Sequence, residues 1–245
     1  EAALAGSDEF WRADGQGSSI GGTGLTDSFA IFLQTGTTLA APEAGMSIPA
    51  LLAHEMFHHW NGNRFAFEEP QQTSFWFSEG FTEWFARLLL RRGGFLDDAG
   101  WLAAVNRSLE EYASNPARTK TAAELRDAFF TDRSIGQHAY RRGDVLALRI
   151  DQELRQRSAG TQSLDDWMRE LVLRGTRGET ITPERFFALL AERTDRAFAD
   201  AMRAVAIEGA SMTFPADFGA PEFALETRTA HAYELGFDLD ATLQT

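Results

Sequence analysis

The chain has 245 residues, 36 acidic against 23 basic side chains, five histidines, no cysteine and 44% apolar residues. That length suits one large domain or two small lobes, and a formal net charge of −13 argues against a nucleic acid or an anionic membrane surface as partner, since affinity for either comes mainly from lysine and arginine. Without cysteine there is no disulfide, thiolate metal cluster or cysteine nucleophile, so any metal must sit on His, Asp or Glu; the compartment stays open, and no apolar run approaches the roughly 18–20 residues of a membrane span.

Residue 1 is Glu rather than Met, which reads as a fragment or a processed chain. The first 45 residues differ from the rest. Residues 15–24, GQGSSIGGTG, hold five glycines in ten and read as a loop, and Ser28–Gln34 follows as a short β-branched and aromatic strand. After Pro49 helical spacing takes over. Thr121 with Glu124 and Ser163 with Asp166 predict capping boxes, and Thr182-Pro183-Glu184 predicts an N-cap with proline in the first turn. Gly175 and Gly209 fall where C-terminal caps belong. In the tail, Phe223–Arg228 and Tyr233–Leu239 partly alternate apolar and polar residues, predicting strands or an extended exit. The expectation is an α+β chain: a β-rich part over 1–45, a helical body over 46–210 and an extended tail over 211–245.

The first strong helix contains His54-Glu55-Met56-Phe57-His58, an H-E-x-x-H pattern. Residues four apart on a helix lie about 40° apart round the axis, so both imidazoles can face one ion, while Glu55, about 100° further round, can hold a water without ligating. Ala53, Met56, Phe57 and Trp60 form an apolar stripe predicted to pack the opposite face. An open catalytic zinc site needs a third protein ligand, and sulfur is absent. Glu79, in Trp76-Phe-Ser-Glu-Gly-Phe-Thr-Glu83, is 21 positions beyond His58 (79 − 58), enough for the chain to turn and bring a second helix alongside. Glu83, one turn on, either receives the ring N–H of a metal-bound histidine or is a solvated carboxylate.

His54-Glu-Met-Phe-His-His-Trp-Asn61 followed by Trp76-Phe-Ser-Glu-Gly-Phe-Thr82 resembles the gluzincin metallopeptidases, and among them the glycyl aminopeptidase family, whose members often carry a PDZ domain after the catalytic unit. The resemblance implies a thermolysin-like zincin unit with one zinc ion per chain and a peptide substrate. It continues at Tyr140-Arg-Arg-Gly143, 61 positions past Glu79 (140 − 79), where the family places a tyrosine at a helix start that donates to the oxyanion. A phenol suits that role because it donates while neutral; the alternative is a tyrosine closing the core. Gly143, Ala147, Ile150 and Leu154 make the stripe that would pack this helix. His138 reads as a polar surface residue and stays outside the catalytic set. The family also keeps a Gly-Gly-x-Glu stretch on a substrate-facing edge strand, its glutamate meeting the free amino terminus. Here Gly21, Gly22, Thr23 and Gly24 occupy it, Ser28 stands where the family keeps a serine, and Gly24 replaces the glutamate.

The resulting expectation is a zinc-dependent hydrolase of peptide bonds, aminopeptidase-like, with His54, His58 and Glu79 on the metal, Glu55 as base and Tyr140 on the oxyanion. An endopeptidase of the same fold and a non-catalytic peptide-binding or metal-binding module are the alternatives.

Overall fold

The computed structural model describes residues 20–25, 28–33, 48–62, 71–129, 131–219 and 223–228. Strands β1 (Ile20–Leu25) and β2 (Ser28–Leu33) form an antiparallel hairpin in which Gly22 pairs with Ile31 and Gly24 with Phe29. Glycine content predicts a loop over residues 15–24, yet Ile20 to Gly24 is strand. A cost of roughly 0.5–1 kcal/mol per glycine is offset by a ladder to a β-branched and aromatic partner. The glycine-rich residues before Ile20 lie outside the described residues.

The other regular elements among the described residues are helical. They are α1 (Ile48–Phe57), α2 (Phe75–Ser78), α3 (Gly80–Arg92), α4 (Asp98–Ser114), α5 (Ala122–Ala128), α6 (Arg133–Arg157), α7 (Leu164–Thr176), α8 (Pro183–Arg193) and α9 (Arg196–Arg203), joined in places by short 3₁₀ turns. The predicted caps explain several boundaries. Thr121 Oγ1 accepts from the Glu124 N–H at 3.2 Å while the Glu124 carboxylate accepts from the Thr121 N–H at 2.8 Å. Asp166 accepts from the Ser163 N–H at 2.9 Å, and Thr182 from the Arg185 N–H at 3.2 Å. Gly209 ends the last helical turn with φ 76°. Gly175 does not cap: α7 runs on to Thr176, and the left-handed position falls at Gly178, φ 84°.

Helix α6 is the spine, packed against α2, α3, α4, α5 and α7, and Ala147, Ile150 and Leu154 are buried along it. Its crossing with α2 and α3 is backbone on backbone. A Cβ on Gly143 would lie 1.6 Å from the Trp76 carbonyl oxygen, and one on Gly80 2.4 Å from Gly143 Cα. Glycine at both positions is therefore a condition of the crossing, and it sets Glu79 and Tyr140, each beside this contact in sequence, face to face. Tyr140 stands two turns inside α6, not at its start as the resemblance implies, because the helix begins at Arg133.

Helix α1 lies on the other side of α3, fixed by the Phe57 and Phe85 rings stacked with centroids 4.4 Å apart, and packs against both strands. The predicted stripe on α1 is half right. Ala53 and Phe57 are buried, but Met56 and Trp60 are 43% and 40% exposed and line up with exposed Leu52 at i, i+4, i+8. His54 and Glu55 are buried instead, since α1 is covered from two sides and its polar face is one of them. Beneath the Glu79 segment, Trp76, Phe77 and Phe81 interlock with Trp167 of α7 and Phe186 and Phe187 of α8, with centroids 4.6 Å apart for Trp167–Phe186 and 4.7 Å for Phe77–Phe81. Residues to Met212 form one compact unit and those from Thr213 another. In the second, the Phe214, Phe218 and Phe223 rings touch in series, and residues 223–228 are without regular structure, so of the two expectations there, strands or an extended exit, the strand is not formed. Tyr233–Leu239 lies outside the described residues.

Candidate active site

The i, i+4 spacing on α1 brings His54 and His58 to one side, and the turn from α2 into α3 delivers Glu79 to them. His54 Nε2 is 3.2 Å from Glu79 Oε2, His58 Nε2 is 3.4 Å from the same oxygen, and the two Nε2 atoms are 3.1 Å apart. Three ligand atoms at the corners of a tetrahedron with bonds of about 2.0–2.1 Å would stand about 3.3–3.4 Å apart, close to this triangle. The protons agree. His58 Nδ1 is 3.1 Å from the Asn61 carbonyl oxygen, which can only accept, so Nδ1 donates and neutral His58 turns a lone pair toward His54 Nε2. Lone pairs and a carboxylate converging on one point fit a cation, and these three residues could hold a metal ion. Burial works against the Glu79 carboxylate, yet the adjoining His54 and His58 hold it down at about 2. Burial likewise opposes the charge on His58, but Glu79 raises its pKa above the ordinary histidine value.

Glu55 lies beside the triangle, buried; burial pushes its carboxyl up, with His54 and His58 pulling the other way. The strand β1 passes directly over it. A Cβ on Gly22 would lie 2.4 Å from Glu55 Cγ and 2.5 Å from Cδ and Oε1. Gly21, Thr23 and Gly24 flank Gly22 on the same strand. The Tyr140 ring stacks against His54 with centroids 6.5 Å apart, and its hydroxyl donates to Glu79; burial, then the Glu79 charge, push its pKa well above 10.0, so it is a neutral donor. Glu83 Oε1 is 3.7 Å from His54 Nδ1, near but beyond a hydrogen bond, and its other oxygen is 3.9 Å from Arg141 Nη1. His138 is not on the surface: it is fully buried, stacked on Tyr112 with centroids 5.5 Å apart.

Sequence reasoning passed over Asn61, which is 1% exposed at the end of the α1 segment. Its side-chain Nδ2 is 3.1 Å from the Phe77 carbonyl oxygen, 3.2 Å from that of Ser78 and 3.1 Å from Thr82 Oγ1. Asparagine inside an otherwise apolar and ligating motif was the available signal.

Residues 48–164 match the family model of the M61 glycyl aminopeptidases. The chain resembles an M61 glycyl aminopeptidase. Every residue of the triangle, with Glu55, Asn61 and Tyr140, falls inside the matched region. The crystal structure of an aminopeptidase N family protein from Idiomarina loihiensis is similar in fold, with a TM-score of 0.66 at 20% identity, covering 81% of this chain and 38% of that one. The chain thus spans well under half the length of that protein. No curated protein matches it. The family match supports a peptidase, and the structural likeness shows the fold.

Proposed function

We propose that the chain is the catalytic unit of a zinc peptidase of gluzincin type, with a thermolysin-like arrangement of edge strand over helical body, one zinc ion per chain and an aminopeptidase-like action on peptides. The observation that carries it is the His54, His58 and Glu79 triangle with Glu55 at its side and Tyr140 donating into it. Two imidazoles and one carboxylate, without sulfur, are the donor set of a catalytic zinc site that leaves a position open. When bound, the ion supplies Lewis acidity toward water and a carbonyl oxygen.

The protein's own groups do the rest. Glu55 accepts the proton of the attacking water and returns it to the leaving amine. Tyr140, neutral and rigidly held, donates to the oxyanion that develops on the scissile carbonyl. Glu83 orients His54 through Nδ1, a contact the observed 3.7 Å needs only a small shift to complete. Gly21, Gly22, Thr23 and Gly24 present backbone to the substrate, glycine permitting close approach. With Gly24 where the family has glutamate, one anionic anchor for a substrate's terminal amine is missing, which favours weak discrimination between free and acetylated amino termini. Members of the family that the chain resembles often carry a PDZ domain after the catalytic unit, and the same arrangement is proposed for the full-length protein. No described helix is long and apolar enough to cross a membrane, and the charge of −13 speaks against nucleic acid.

Elemental analysis of protein purified with zinc tests the assignment. One zinc per wild-type chain and a large loss in Glu79→Ala are expected; no zinc in the wild type, or full retention in Glu79→Ala, contradicts it. The same zinc-loaded protein, given free and N-acetylated forms of one peptide, should cleave both at rates within about tenfold, whereas discrimination of several orders of magnitude would return the terminal-amine role to another carboxylate.

A further inference from the structure

We infer that Asn61 is a positioning residue that locks the two metal-bearing segments together, and this rests on the metal reading above. One residue acts on both. Its main-chain carbonyl accepts from His58 Nδ1 at 3.1 Å, which fixes the tautomer and leaves Nε2 free to ligate. Its side-chain amide reaches across to the last carbonyls of α2, Phe77 and Ser78, and to Thr82 on α3, all within 3.2 Å. Glu79 stands between those contacts in sequence.

The amide orientation is forced. Nδ2 faces two carbonyl oxygens, which only accept, while Asn61 Oδ1 is buried with no partner. Thr82 completes the pattern by donating its hydroxyl to the Ser78 carbonyl at 2.6 Å and so presenting a lone pair to Asn61. The leftover Oδ1 says that the side chain is placed for its donors alone. Because the link is non-local, 16 to 21 positions in sequence, it sets the distance between His58 and Glu79 rather than the shape of either helix.

The test measures zinc affinity by competition with a fluorescent chelator, and the visible spectrum of the Co(II)-loaded protein, in wild type, Asn61→Ala, Asn61→Asp, Thr82→Val and Thr121→Ala. The last removes a helix cap remote in sequence from the site and controls for plain destabilisation. Asn61→Ala and Asn61→Asp should weaken zinc by about 10–100-fold, the usual range for a residue that orients a ligand, and alter the Co(II) ligand-field bands, with Thr82→Val shifting both in the same direction by less. Thr121→Ala should change neither. If Asn61→Ala fails to fold, Thr82→Val carries the comparison. Zinc affinity and Co(II) spectra unchanged in the folded Asn61 and Thr82 variants overturn the inference while leaving the metal reading intact. A wild type that takes up neither metal overturns the metal reading, and the inference with it.

Discussion

Cβ addition at Gly22 would put a carbon 2.4 Å from Glu55 Cγ, and the obstacle is a side chain, not backbone. The carboxylate can swing away, so the damage falls on geometry before stability. Gly22→Ala should lower turnover by about 100-fold, the scale of a 1 Å misplacement of a reacting group, while folding stability falls by no more than about 1–2 kcal/mol. Unchanged turnover on a peptide substrate would show that β1 does not confine Glu55. At the same scale His138 behaves as a buried neutral base. Burial, then the charges of Arg142 and Arg118, push its pKa down to about 3, against about 6.5 in an unfolded chain. The unfolded chain therefore binds a proton that the folded one excludes. The stability His138 contributes is full above about pH 6.5 and is lost progressively as pH falls from there toward 3. Between pH 7 and pH 5 that amounts to about 2 kcal/mol, so urea unfolding of wild type should lose about that much more than His138→Leu over the same interval. Equal losses would mean that His138 titrates normally.

Between elements, the decisive feature is the glycine crossing of α6 over α2 and α3. Gly143→Ala would drive a methyl into the Trp76 carbonyl oxygen, 1.6 Å away in the present geometry, and since that atom is backbone the helices must part. A loss of at least about 3 kcal/mol is expected, at the upper end of overpacking costs, with Tyr140 displaced from Glu79 and turnover reduced in whatever protein remains folded. A melting temperature within a degree or two of wild type would contradict the close crossing. What the sequence made legible follows the range of the interaction. Thr121–Glu124 and Thr182–Arg185 are local, three positions apart, and could be read directly. His54 and His58 were legible for the same reason, since helical spacing alone aligns them. Met56 and Trp60 were misplaced because periodicity finds an apolar face without saying what covers the polar one, and here β1 and α3 bury His54 and Glu55.

Across the whole molecule, the contacts that complete the site join segments far apart in sequence, and these were the unreadable part: Gly22 over Glu55, Asn61 onto Phe77 and Ser78, Gly80 against Gly143. Each depends on how α1, α3 and α6 dock, which no short spacing encodes. Glu79 was reachable from the need for a third ligand without sulfur, Tyr140 only because its motif resembles a family, and the docking explains why each is followed by glycine, Glu79 at once and Tyr140 one turn later. The measurement that tests the account most directly is peptide hydrolysis by zinc-loaded wild type and Glu55→Gln, with metal content determined on the same samples. Glu55→Gln should keep its zinc and lose turnover by at least about 100-fold, since positioned proton transfer contributes about 10²–10⁴-fold. A Glu55→Gln protein that holds zinc and cleaves the peptide at more than about a tenth of the wild-type rate would contradict it.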